Sequence, residues 1–275
     1  MDSKEKYINP FTDFGFKKLF GTEFNKELLI DFLNQALGER ERIQDLTYLN
    51  TENLGNTETD RKAIFDLYCE NEKGEKFIIE LQNAEQLYFK DRSIFYSTFA
   101  IQSQAPKGKK WDHSLKAVYT IGILNFILPD QSEQERYQRE IQLMDRQTHE
   151  VFYDKLTFIY LEVPNFRKTE GELLSQFDKW MYVLKNLHQL QSRPVKLQEK
   201  VFERLFNEAE IAKLKPEDMK AYEESLKVYR DNYSIIETAV NKKALDIARE
   251  MKKDSHPTEM IVKYTGLTKE QVEKL

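Results

Sequence analysis

The sequence predicts an α/β protein in which one mixed sheet occupies residues 1–165 and a helical region occupies 166–275. Three observations predict it. Helical spacing of apolar residues appears early in the chain. Several β-branched or alternating stretches then lie between residues 45 and 164, and after Pro164 only helical spacing remains. Strands gathered in one part of a chain and helices in another indicate a sheet-bearing unit followed by a helical one. A length of 275 residues exceeds one ordinary domain, so a sizeable core with an appendage is expected. The 18 Phe and 14 Tyr are enough aromatic side chains to fill that core.

The elements follow in order. Leu28, Leu29, Phe32, Leu33 and Leu37 make a helical stripe that Gly38 ends, with a start near Thr22 or Asn25. "FKKLFG" before it is a short helical turn. "DLTYLNTENL" predicts a strand with polar alternation. "RKAIFDLYCE" and "KFIIELQN" predict two strands joined by a tight turn. "EQLYFKDRSIFYSTFAIQSQA" predicts a helix with Leu87, Ile94, Phe95, Thr98, Phe99 and Ile101 in its apolar rhythm. "APKGKKWDHS" is a loop. "LKAVYTIGILNFIL" is β-branched and largely apolar, as in a strand buried on both faces. "REIQLMDRQT" and "LTFIYLEVP" extend the same mixed sheet. Helices are expected in "EGELLSQFDKWMYVLKNL", in "VKLQEKVFERLFNEAEIAKL" and over 216–253. The last stretch, from His256, reads as helix, Gly turn and helix, with Thr268 and Gln271 forming a capping box.

Several function classes fall away. No apolar run reaches the roughly 18 residues that span a bilayer. "MDSKEKYINPF" carries no signal core, so a cytoplasmic protein is expected. Cys69 is the only cysteine, which excludes an internal disulfide and a multi-cysteine zinc site and leaves it as small strand filler. His113, His149, His188 and His256 form no pair at metal-ligand spacing. "DFG" at Asp13–Gly15 is not the kinase metal motif, because the twelve residues before it cannot hold a Gly-rich loop, a strand lysine and a catalytic loop. No phosphate-binding glycine loop occurs, so no nucleotide cofactor is expected. A net charge of −5 requires any DNA contact to be local.

The strand pair carries the chemistry. With Glu72, Lys73 and Gly74 as a three-residue loop, Gly74 takes the left-handed position and Asn71 closes on Glu75. Asp66 then falls opposite Glu80, and Ile64 opposite Gln82. Residues two apart share a face, so Glu80 and Gln82 point the same way. Two opposed carboxylates, their Cβ atoms about 5 Å apart, destabilise the pair, and burial adds to the cost. Either one carboxylate holds a proton or a cation sits between them. A hard ion such as Mg²⁺ suits carboxylate oxygens, and one of its waters can become a nucleophile. A register slip of one residue would instead turn both acids to solvent.

Asp66 with Glu80-x-Gln82 on consecutive strands resembles the PD-(D/E)xK nuclease core. More narrowly, "NPFTDFGFKKLFG", "FDLYCENEKGEKFIIELQ" and the weaker "IVKYTGLTKEQVEKL" resemble the Rpn family of recombination-promoting nucleases, PD-(D/E)xK family transposases. The resemblance implies a restriction-endonuclease-like fold and Mg²⁺-dependent DNA cleavage, with Mn²⁺ as a substitute. Asp66 and Glu80 match the metal-binding acids, and Gln82 the position usually held by lysine. An amide can orient water but cannot neutralise developing charge. The missing charge falls to the metal or to a cation such as Lys17 or Arg92. Asp13 is a candidate third metal ligand, with Glu27 competing.

Lys107, Lys109 and Lys110 beside Trp111, together with Arg92, are candidate DNA contacts; a solvated loop is the competing reading of the lysines. The 216–253 helix could support a homodimer, and the C-terminal tail resembles half of a helix-turn-helix. The expected function is a metal-dependent DNA endonuclease. The alternative is a catalytically inactive DNA-binding or protein-interaction scaffold on the same fold.

Overall fold

A computed structural model describes residues 5–38, 42–53, 63–105, 112–129 and 136–275. Two compact units, Met1–Tyr222 and Glu223–Leu275, divide the chain. The division therefore does not fall at the composition change near Asn165. The helices just after that point are bound into the first unit through an aromatic core described below.

The first unit opens with helices α1 (Asp13–Phe20) and α2 (Lys26–Leu37). Asn25 precedes α2 and Gly38 follows it, as the sequence indicates. Strands β1 (Leu46–Tyr48), β4 (Leu67–Asn71), β5 (Lys76–Gln82), β6 (Val118–Leu124), β7 (Gln138–Met144) and β8 (Val151–Glu162) form one mixed sheet in the order β1-β4-β5-β6-β8-β7. Short strands β2 (Glu52–Asn53) and β3 (Ala63–Ile64) make a separate ribbon. Every residue of β6 is buried. It runs parallel to both β5 and β8 in the middle of the sheet, which is why its sequence is apolar without alternation.

The hairpin between β4 and β5 has the expected register, with Leu67 opposite Ile79 and Glu70 opposite Lys76. Its turn is built by Gly74 at φ +80°. Asn71 Oδ1 accepts the N–H groups of Lys73 at 3.0 Å and Glu75 at 2.9 Å. An Asn at the turn mouth satisfies backbone donors that a strand partner would otherwise serve. Cys69 is buried in β4 and burial pushes its thiol up to about 12, which suits a filler and not a nucleophile.

Two expectations about strands and one about a helix are corrected. "DLTYLNTENL" is not one strand but gives β1 and β2. "RKAIFDLYCE" breaks at Phe65–Asp66, because the Phe65 N–H is drawn to the Thr51 carbonyl at 3.0 Å, away from β5. Ile64 accordingly pairs with Glu52, not with Gln82. Helix α3 (Phe89–Gln102) forms where expected but buries Phe89, Ser93, Ser97 and Ala100. Leu87, Ile94 and Phe95 are exposed instead. Ser93, Ser97 and Ala100 let the helix backbone approach β6 closely, while Tyr96, Phe99 and Ile101 are partly buried and pack against the core around Phe65, Tyr68 and Val118.

Helices α4 (Gln176–Asn186) and α5 (Lys200–Ala209) pack on α1 and α2. Trp180 contributes the central ring, with centroids 5.8 Å from Phe20, 5.6 Å from Phe32 and 5.1 Å from Phe202. Its indole N–H donates to Asp31 at 2.6 Å, so the buried ring leaves no unmet donor.

Helix α6 (Pro216–Lys253) begins in the first unit and continues into the second. The second unit closes a small core of Ala248, Ile261, Leu267 and Val272 between α6, α7 (Thr258–Thr265) and α8 (Lys269–Glu273). Gly266 takes the left-handed conformation that ends α7, and Thr268 and Gln271 form the expected capping box. Among the described residues, no helix is long and apolar enough to cross a membrane.

Candidate active site

Strand β5 places Glu80 and Gln82 on one face, two residues apart. Both are buried. Asp66 stands one residue before β4, at the bend where the chain leaves the sheet. Its Oδ2 accepts the Leu81 N–H at 2.7 Å. Chain separation at Phe65 would leave that donor without its ladder partner, and the carboxylate takes the partner's place. The two acids thus meet at the open end of the hairpin, held by a side-chain to backbone bond and not by continuous strand pairing.

Their electrostatics show an unrelieved pair. Burial first, and then the charge of Asp66, push Glu80 from 4.5 up to about 8. Burial also raises Asp66, opposed by the Leu81 N–H and by the charges of Lys17 and Arg92. Glu80 Oε2 accepts from Gln82 Nε2 at 3.2 Å. Glu80 Oε1 is buried and has no hydrogen-bond partner among the described residues. A buried carboxylate oxygen left unserved is costly and invites a cation or a proton.

Arg92 reaches in from α3. Its Nη2 donates to Gln82 Oε1 at 2.5 Å and its Nη1 to Gln86 Oε1. The guanidinium lies over the Tyr96 ring, 5.7 Å from its centroid. Its charge acts on both Asp66 and Glu80.

Asp13 and Lys17 come from α1, whose position follows from "NPFTDFG". Thr12 caps the helix by accepting the Gly15 N–H at 3.0 Å, and its hydroxyl donates to the Asn9 carbonyl at 2.8 Å. A Cβ on Gly15 would lie 2.1 Å from that same carbonyl oxygen, so only glycine fits. Asn83, just after β5, donates to the Phe11 carbonyl at 2.9 Å and ties this segment to the acid-bearing strand. Lys17 pairs with Asp13 at 2.7 Å, and both are largely exposed. Their charges act on Asp66.

The expected residues therefore divide. Asp66, Glu80, Gln82 and Arg92 converge, with the Asp13–Lys17 pair at their edge. Glu27 is engaged by Arg204 of α5 at 2.8 Å. Lys107, Lys109, Lys110 and Trp111 lie outside the described residues. His113 and His149 sit at positive φ, and His188 is half-buried, with Nε2 at 3.2 Å from Gln189 Nε2 and Nδ1 without a partner among the described residues. Tyr96, Gln86 and Asn83 were not anticipated. Tyr96 follows Arg92 at i+4 on a helix, a spacing that signals contact; Gln86 and Asn83 carry no comparable signal.

Among the described residues, no group of three or more His, Cys, Asp or Glu side chains is gathered as a metal cage. Asp13 is held by Lys17 and does not complete a three-acid set. Mg²⁺ does not need one, because it is commonly held by one or two carboxylates and keeps several waters. Two raised acids and one unpartnered oxygen fit such an ion.

The family model described as PD-(D/E)XK nuclease family transposase matches residues 10–239. No curated protein and no solved structure matches the chain.

Proposed function

Because the chain belongs to the PD-(D/E)XK nuclease family transposases, we propose that it cleaves DNA by Mg²⁺-dependent hydrolysis of phosphodiester bonds. The observation that carries this reading is the pairing of half-buried Asp66 with buried Glu80, both raised, with Glu80 Oε1 unserved among the described residues. Asp66 and Glu80 are the residues that would hold the ion. When bound, Mg²⁺ lowers the pKa of a water and draws charge from the scissile phosphate.

The chain's own residues do the rest. The Leu81 N–H fixes one Asp66 oxygen. Gln82 engages both ends of its amide, Nε2 on Glu80 and Oε1 on Arg92, and so holds the acid in place. Arg92 supplies the positive charge that Gln82 lacks, and Lys17 with Asp13 trims the field at the outer edge. Lys107, Lys109 and Lys110 are proposed to touch the DNA backbone, which makes activity fall steeply with salt.

The test is nicking or linearisation of supercoiled plasmid with millimolar Mg²⁺. Asp66→Ala and Glu80→Ala are expected to lose at least about 10²-fold, the scale of losing one charge-stabilising group. Equal cleavage by wild type and both variants would reject the reading. A second reading, an inactive scaffold, is favoured by the amide at position 82. It predicts no cleavage and no metal-induced rise in melting temperature.

A further inference from the structure

The amide at Gln82 is not free to choose its orientation. Arginine can only donate hydrogen bonds. With Arg92 Nη2 at 2.5 Å, Gln82 must present Oε1 to it, and Nε2 is thereby turned toward Glu80 Oε2. Arg92 is in turn held by Gln86 and by the ring of Tyr96. Tyr96 packs edge-on to buried Phe65, centroids 5.4 Å apart, and Phe65 immediately precedes Asp66. One helix face thus braces both acids, Glu80 through Gln82 and Asp66 through Phe65.

We propose that Arg92, shelved on Tyr96 and acting through Gln82, is the positioning residue of this site. It turns the amide so that Glu80 keeps Oε2 occupied and Oε1 open, and it brings from α3 the cation that a lysine at 82 would carry. The proposal rests on the nuclease reading above. A purely structural Arg92 would tie α3 to β5, and moving its charge onto residue 82 would restore nothing.

The experiment relocates the charge. Arg92→Gln should lower plasmid cleavage about 10–100-fold, as losing a residue that orients a metal ligand does. Gln82→Lys alone should also lower it, because two cations then crowd one pocket. The double variant Arg92→Gln with Gln82→Lys should recover to within about tenfold of wild type, since the lysine now stands alone beside Glu80. Tyr96→Ala, which removes the shelf, should resemble Arg92→Gln. Melting curves confirm that each variant is folded.

The second readout is the Mn²⁺ concentration giving half of the metal-induced melting shift, expected to rise about tenfold or more in Arg92→Gln. If wild type neither cleaves nor responds to Mn²⁺, the nuclease reading falls and this proposal with it. A cleaving, Mn²⁺-responsive wild type with an unchanged Arg92→Gln, or a double variant no better than Arg92→Gln, overturns the proposal alone.

Discussion

Replacing Glu80 by Gln should stabilise the metal-free protein, and increasingly so as pH rises. Glu80 is buried, faces Asp66 and has one unpartnered oxygen, so its ionised form is disfavoured in the fold. Between pH 4.5 and about 8 the unfolded chain has lost this proton while the folded chain keeps it. The folded state then binds more protons, and stability declines as pH increases through that window. At about 1.36 kcal/mol per pH unit, the displacement to about 8 sets an upper bound of about 5 kcal/mol. Relaxation and water at the open hairpin end reduce this to about 2–3 kcal/mol. For a unit of this size that corresponds to roughly 5–10 °C in Tm.

The assay is thermal melting of wild type and Glu80→Gln with a chelator present, from pH 5 to 8.5. Gln at 80 keeps an oxygen for Gln82 Nε2 and carries no charge. The two curves should meet near pH 5 and diverge toward pH 8, with the variant higher. Adding millimolar Mn²⁺ at pH 8 should raise wild type and not the variant. Parallel curves across the range would refute the claim that the pair is unrelieved.

The segment before α1 makes its own prediction. Gly15→Ala puts a methyl group into the Asn9 carbonyl, and the backbone must yield. A loss of about 1–3 kcal/mol in chemical denaturation is expected, together with weaker cleavage because α1 carries Asp13 and Lys17. Trp180→Ala should cost about 3–5 kcal/mol in the same assay, since the ring is fully buried among Phe20, Phe32 and Phe202 and its N–H is paired with Asp31.

Much of the site was legible because its geometry is local. The Glu72, Lys73 and Gly74 loop pointed to the hairpin register that forms, with a one-residue slip as the alternative, and the continuous apolar run of 118–124 marked the central strand. What was not legible depends on distant partners. The residues around Phe65 and Asp66 have uninterrupted strand character, and only the pull of Thr51 explains why the chain turns away there. The residues of α3 nearest β6 are small and partly polar, so counting large apolar residues picked out Phe99 and Ile101, which pack on the core, together with Leu87, Ile94 and Phe95, which are exposed. The helices of residues 176–209 read as a separate region by composition, yet their aromatic residues complete the core begun by α1 and α2.

The bond from Gln82 to Arg92 spans ten residues and a change of element, and position 82 alone gives no hint of it. Asp13 and Lys17, by contrast, stand at i, i+4 on one helix, the spacing of an ion pair, which weighs against Asp13 as a ready metal ligand.

Asp66 and Glu80 are proposed to share one cation. Anomalous diffraction from crystals of the protein soaked in Mn²⁺ tests it most directly. A single strong peak is expected, bonded to a carboxylate oxygen of each residue and lost in Glu80→Gln. A peak bound elsewhere, or well-ordered carboxylates with no metal between them at millimolar Mn²⁺, would contradict it.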